Sequence, residues 1–330
     1  MVVVGGITRL THSGLSIVEW QPIVGAIPPL DDAQWEETFA KYRQTPEFRQ
    51  RNHDITLAGF KAIFWWEYSH RLLGRVIGLA FLLPLIYFYR RGDVDRPLAW
   101  KLGAVFVLGA IQGAVGWYMV KSGLADDPRV SSVRLAMHLG IAFAIYGAMF
   151  WLALGLLFDP PRRSQGAVLP VGALTVLIFV MVLSGALVAG IRAGFAYNTF
   201  PLMNGELVPR EILMIDPWWK NFIYNMATVQ FVHRALATFI VACAALLWWR
   251  IDSDRRIDDR ARAWNSALIL AIAAQAGIGI ATLLMRVPLP LAALHQAGAL
   301  VVFTCALGLL RFLKGRDEGI TSVRAEPRRM

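Results

Sequence analysis

Apolar runs of about 20 residues recur along the chain between shorter polar segments, the length that spans a bilayer as a helix. They predict membrane helices over 66–89, 99–120, 132–157, 168–190, 228–249, 264–285 and 291–313. An eighth is implied by "MVVVGGITRL", where seven residues precede Thr8 and Arg9, too few to cross, so the expectation is either a start that lies upstream of Met1 or a truncated first helix. No signal peptide is expected, because no charged segment precedes an apolar run with a cleavage site.

Composition agrees with lipid as the solvent. Apolar residues make up 56% of the 330, tryptophans number 12, and the mean hydropathy is +0.49. The connections 90–101, 158–167 and 250–263 and the tail from Arg311 hold about half of the 33 Lys and Arg, which reads as the cytoplasmic side. Both termini are then cytoplasmic, the long segments 10–64 and 191–227 lie outside, and the expected location is the cell inner (plasma) membrane, multi-pass. The net charge of +10 follows from this topology, and no nucleic-acid partner is expected, because the basic residues carry no reader motif. The two cysteines, Cys243 and Cys305, fall in predicted spans and read as packing residues, with no outer disulfide available.

The chain repeats. "SHRLLGRVIGLAF" (His70, Arg71) matches "VHRALATFIVACA" (His233, Arg234) at an offset of 163, which also carries Gln112 onto Gln275 and Gly116 onto Gly279. "LAMHLGIAFA" (His138) aligns with "LAALHQAGALVVF" (His295) after a six-residue difference in loop length. At an offset of 180, Gly5, Gly14, Gly25 and Pro29 fall on Gly185, Gly194, Gly205 and Pro209. The expected fold class is therefore an all-α integral membrane protein of two tandem four-helix bundles, 1–160 and 161–330, meeting near 160–166. An even number of spans per half gives both halves one orientation, related by a pseudo-twofold axis along the membrane normal.

That repeat places His70, His138, His233 and His295 near the outer face at similar depth. Two parallel helices in each half then offer one imidazole apiece, as axial ligation of a haem iron requires. For a single such histidine the bland alternative is a hydrogen bond between helices. Zinc is a competitor, but it asks for three or four ligands, and each half offers two histidines. Arg71 and Arg234 follow their histidines directly, and Arg75 and Arg134 lie within about a turn of a ligand candidate. These arginines suit anionic haem propionates or, for Arg75 and Arg134, snorkelling to headgroups. Gly109, Gly113, Gly116, Gly277 and Gly279 read as close-packing sites. His12 and His53 have no repeat partner and no assigned role.

Glu67 precedes His70 by three residues and shares a helix face with it and Arg71, whereas its counterpart at the offset of 163 is Gln230. An acid at that depth can exchange a proton and an amide cannot, so the first half is expected to do chemistry and the second to pass electrons. The alternative is an acid that only pairs with Arg71 or Arg75.

These residues resemble a known family. "VVGGITRLTHSGLSIVEWQPIVGAIPPL", "YRQTPEFRQ", "FKAIFWWEYSHRLLGR", "FVHRALAT" and "LHQAGAL" are similar to segments of the haem A synthases of the alphaproteobacterial and mitochondrial type, across almost the whole chain. The resemblance implies oxidation of the C8 methyl group of haem O to a formyl group, giving haem A for cytochrome c oxidase. It implies His70 and His138, with Glu67, at the substrate haem, and His233 and His295 on a resident haem b, its iron held axially. Relatives from other lineages carry an outer cysteine pair that this chain lacks.

In "DDAQWEETFAKYRQTPEFRQRN", Asp32 is expected to cap a helix on which Trp35, Phe39 and Tyr42 form one stripe, facing the bundle as a roof over the site or as an interfacial anchor. A dihaem electron-transfer cytochrome and a haem transporter are the rival readings. Haem O synthase, an electron acceptor and a second copy of the chain are candidate partners.

Overall fold

A computed structural model describes residues 1–125, 127–159 and 166–314. Eleven α-helices are found among them: α1 (Val2–Leu10), α2 (Asp32–Arg43), α3 (Pro46–Gln50), α4 (Leu57–Arg91), α5 (Arg96–Gly123), α6 (Ser132–Leu157), α7 (Val168–Gly190), α8 (Asn221–Tyr224), α9 (Met226–Ser253), α10 (Asp259–Leu284) and α11 (Leu289–Lys314). Seven of these, α4 to α7 and α9 to α11, are long and apolar enough to cross a membrane, and they coincide with the seven predicted runs. The chain is thus an all-helical multi-span membrane protein. The expected boundary at 160–166 lies, except for Gly166, outside the described residues, as does the tail from 315.

Local chemistry sets the helix ends. Thr56, Asp95, Ser131, Asn225 and Asp258 each accept a backbone N–H from the first turn of the helix they precede, satisfying donors that otherwise have no intrahelical partner. Gly92 closes α4 with φ of 81°, a conformation that favours glycine. With 35 residues, α4 is about 52 Å long at the usual helical rise, well beyond a hydrocarbon core of about 30 Å. Its first turns therefore project past the bundle, and its buried residues, Phe60, Phe64, Glu67 and Tyr68, lie in that first third.

The aromatic stripe packs on this projection. Phe39 stacks on Phe60 at 5.0 Å, Tyr42 lies 5.1 Å from the same ring, and Trp35 meets Phe64 edge-on at 4.9 Å. The stripe is buried as expected, with a different partner: it braces α4 and does not border the central cavity, whose lining from this segment comes from Glu47 and Arg51. The cap also differs by one residue. Asp31, in extended conformation, accepts from the Gln34 N–H at 2.8 Å, while Asp32 is the first helical residue.

The long segments 11–56 and 191–225 lie at one face of the bundle, where α4, α6, α9 and α11 begin and α1, α5, α7 and α10 end. The largest apolar cluster joins α6, α7, α9, α10 and α11, with Phe143, Val171, Ala306, Leu309 and Leu313 almost fully buried. Cys305 belongs to that cluster, Cys243 packs beside it, and both are free thiols.

Candidate functional site

His138, His233 and His295 lie about two turns into α6, α9 and α11, His70 lies further along the longer α4, and each rests on a glycine of a neighbouring helix. A Cβ on Gly5, Gly116, Gly185 or Gly279 would stand 2.8, 2.8, 3.3 and 2.7 Å from the Cε1 of His70, His138, His233 and His295 respectively. The side-chain amides of Gln112 and Gln275 brace the next helix by donating to the carbonyls of His138 and His295 at 3.0 and 2.8 Å. The same contacts thus occur at residues 163 apart on α5 and α10, and at residues 180 apart on α1 and α7.

All four imidazoles line one cavity of about 2310 Å³, which is otherwise largely apolar. Drug-sized ligands fill roughly 300–1,000 Å³, so this space suits two large rigid groups. The Nδ1 atoms of His70, His138 and His295 are buried without a hydrogen-bond partner, while His233 Nδ1 lies 3.2 Å from the Ser184 hydroxyl. The Gln112 side-chain amide on α5 also lies 3.4 Å from His138 Nε2, so hydrogen bonding between helices reaches His138 and His233 but does not account for His70 or His295. Among the described residues no three His, Cys, Asp or Glu side chains converge on one point, so the site offers paired imidazoles and not a polydentate zinc centre. Within each pair, His70 with His138 and His233 with His295, the rings lie in Coulombic reach of each other. Such a donor set, in an apolar cavity with glycines beside the rings, fits a haem held from both faces.

Glu67 and Gln230 occupy equivalent surroundings with different chemistry. Both are 3% exposed and border the cavity. The Glu67 carboxylate accepts the Ser16 hydroxyl and the Ile17 N–H on one oxygen, each at 2.8 Å, and Arg71 on the other at 2.7 Å. Arg75 makes no contact with it. Gln230 accepts Arg234 at 3.0 Å and donates to the Ala193 carbonyl at 2.8 Å.

The arginines make contacts that the sequence did not signal. Arg71 donates to the Ile17 and Glu19 carbonyls, and Arg234 to those of Tyr197 and Thr199, again 180 residues apart. Arg75 donates to the carbonyls of Pro22 and Gln21, and Arg134 to that of Tyr118, over whose ring it also lies. Arg71, Arg75 and Arg234 hold the long loops onto the bundle, whereas Arg134 ties α6 to α5. Arg71, Arg75 and Arg234 still border the cavity, and Arg75 Nη1 and Arg234 Nε are buried without a partner.

Glycine roles split. Gly116 and Gly279 are close-packed against histidines, but a Cβ on Gly109, Gly113 or Gly277 would meet nothing within 4 Å, which overturns a packing role for those three. Gly109 and Gly113 border the cavity and widen it.

Sequence reasoning missed several residues at the cavity or in contact with its lining. Ser16 and Ile17 gave no signal, because their role depends on a loop folding back onto α4. Glu47, 2% exposed, sits in the "YRQTPEFRQ" segment beside Tyr42, and burial, then the Glu67 charge, push its carboxyl up to about 7. His12 does have a counterpart: it contacts Arg192, 180 residues on, at 3.2 Å.

The family described as "COX15-CtaA: Cytochrome oxidase assembly protein" matches residues 1–307. The "Heme A synthase" of Nitrosospira multiformis is 55% identical over 313 residues, covering 93% of this chain and 87% of that protein. The "Heme A synthase" of Nitrosomonas eutropha is 51% identical over 319 residues (95% and 89%), and that of Parvibaculum lavamentivorans 48% over 310 residues (93% and 88%). With a family match over almost the full length and relatives at about half identity, the chain belongs to the COX15-CtaA family of cytochrome oxidase assembly proteins.

Proposed function

We propose that this chain is a haem A synthase, an oxidoreductase that converts the C8 methyl group of haem O to a formyl group. The observation that carries the reading is the asymmetry within one cavity: four imidazoles, with an ionisable acid beside one pair and an amide, equally buried, beside the other. His70 and His138 hold the substrate haem O, and His233 and His295 hold a resident haem b. The chain then comprises two four-helix halves, 1–160 and 161–330, about a pseudo-twofold axis. The contacts repeated 163 and 180 residues apart support that arrangement.

An iron porphyrin supplies the oxidising power that side chains lack. The protein's own residues do the rest. Gly5 and Gly116 let the ligand helices approach, and Gln112 fixes the start of α6 through the His138 carbonyl. Glu67 borders the cavity and exchanges a proton with the group bound there, while Ser16, Ile17 and Arg71 hold the carboxylate in place. Gln230 cannot exchange a proton, so the second half serves electron transfer. The apolar lining and the membrane location suit a porphyrin with a long isoprenoid tail. The long-loop face is the outer face of the inner membrane, both termini are cytoplasmic, and haem O synthase and an electron acceptor are the partners this chemistry needs. Self-association is compatible with the fold.

The test is expression in a host that makes haem O but no haem A, followed by extraction and identification of the haems by chromatography and mass. Haem A formed only with the intact gene supports the proposal. Haem b alone, in a folded protein supplied with haem O, favours the dihaem electron-transfer cytochrome.

A further inference from the structure

At the mouth of the cavity, between the ends of α1 and α7, lies a cluster of positive side chains that the proposed reaction does not use. Arg9, His12, Arg51, Arg129 and Arg192 all border the cavity. Arg9 donates to the Ala189 carbonyl, and Arg192 contacts His12 at 3.2 Å. Arg192 is in Coulombic reach of Arg9, Arg51 and Arg129, and His12 of Arg9, Arg51 and Arg192. Of these, only Arg129 has an ion-pair partner among the described residues, Asp127 at 2.6 Å. Among the described residues no carboxylate lies within ion-pairing distance of Arg9, Arg51 or Arg192.

Glu47 borders the same cavity and is in Coulombic reach of Arg51 and Arg192, one carboxyl among several cations. Positive charge in such excess at an apolar cavity is self-repelling, and its usual compensation is a bound anion. Arg71 and Arg234, the arginines adjacent to the histidines, have both Nη groups on loop carbonyls, whereas the Arg51 guanidinium makes no hydrogen bond among the described residues and that of Arg192 contacts only His12. We propose that Arg9, Arg51 and Arg192 form a carboxylate-binding site that receives porphyrin propionates at the mouth of the cavity. The cavity is one space, apolar in depth with imidazoles part-way in and cations at the rim. A planar ligand with apolar faces and carboxylates on one edge matches that distribution. Because Arg9 and Arg192 sit where the two halves meet, the site reaches ligands of either half. This inference rests on the haem reading above.

The test measures binding and not turnover. The full-length protein, purified without haem, is titrated with iron protoporphyrin as the free acid and as its dimethyl ester. The wild-type protein is expected to hold the acid at least roughly tenfold more tightly than the ester, the scale of one charge-assisted hydrogen bond. The double variant Arg51→Gln with Arg192→Gln is expected to lose that preference, and Arg51→Lys with Arg192→Lys to keep most of it, which separates charge from misfolding. Equal binding of acid and ester by the wild type, with an axial histidine spectrum in both cases, overturns the carboxylate site and leaves the haem reading standing. Inorganic phosphate that displaces acid and ester alike would assign the cluster to a diffusible anion and also overturn it. No bound haem in the wild-type protein overturns both.

Discussion

The Glu67 carboxylate and the Arg71 guanidinium, one turn apart on α4, meet at 2.7 Å, and both reach into the loop at 16–19. Gln230 and Arg234 repeat the arrangement at 3.0 Å, with Arg234 reaching to 197 and 199. The pair therefore has a structural duty common to both halves, the anchoring of a long loop. What the first half adds is a site for a proton. Charge and proton capacity are the difference to be tested, since fold and burial are held constant by the protein itself.

Glu67→Gln is expected to stay folded, because Gln230 already shows that an amide at this depth can accept from an arginine at i+4. Haem content and thermal midpoint should match the wild type within a few degrees. Haem A formation should fall by roughly a hundredfold or more, the usual contribution of a positioned acid or base. A variant that binds haem and makes haem A at the normal rate would remove Glu67 from the mechanism.

The glycines beside the histidines predict a graded series. A Cβ at Gly279 would stand 2.7 Å from His295 Cε1, closer than real contacts allow, so Gly279→Ala must turn the ring or part α10 from α11. Haem b occupancy, read from the absorbance of the purified protein, is expected to drop at least about tenfold. Gly185→Ala, at 3.3 Å from His233, should lose less, and Gly109→Ala, with open space around it, should leave both imidazole pairs undisturbed. Equal damage at Gly109 and Gly279 would separate haem retention from ring placement.

How much of this was legible in the sequence follows from what each feature depends on. The seven spans needed only hydropathy and length. The four histidines and the Glu67 to Gln230 contrast needed only internal alignment, which registers residues at fixed offsets whatever their environment. The aromatic stripe of α2 was visible as periodicity, but its target was not, because periodicity shows which face is buried and not against what. The loop contacts of Arg71 and Arg234 were not visible because their acceptors are backbone carbonyls, which every residue carries and no side-chain pattern marks. The mouth cluster was hidden for a related reason: Arg9, Arg51 and Arg192 come together through three separate connections.

Phe39 tests the bracing of α4. It is 1% exposed and stacked on Phe60, so Phe39→Ala leaves a cavity between α2 and the projecting turns. A loss of about 3–5 kcal/mol is expected for such a truncation. Because the stripe does not border the haem cavity, haem bound by the surviving folded fraction should keep its wild-type spectrum. An altered spectrum at unchanged stability would place the stripe in the site after all.

Glu47 gives a pH dependence whose sign is fixed by its surroundings. Burial raises its carboxyl from 4.5 to about 7, the Glu67 charge adds to the shift, and Arg51, the Tyr42 hydrogen bond and Arg192 oppose it. Between those two values the unfolded chain has released this proton and the folded chain still holds it. Stability must therefore fall as pH rises from 4.5 and level off above about 7, by up to about 3 kcal/mol in all. Glu47→Gln carries no such proton and should flatten that part of the curve, so that the variant gains on the wild type at pH 8 and not at pH 4.5. Thermal midpoints of the two proteins in the same detergent, taken across that range, decide the matter: parallel curves would mean that Glu47 is ionised in the folded state at neutral pH, with Arg51 or Arg192 neutralising it, and the mouth cluster would then have its counter-charge from within the chain.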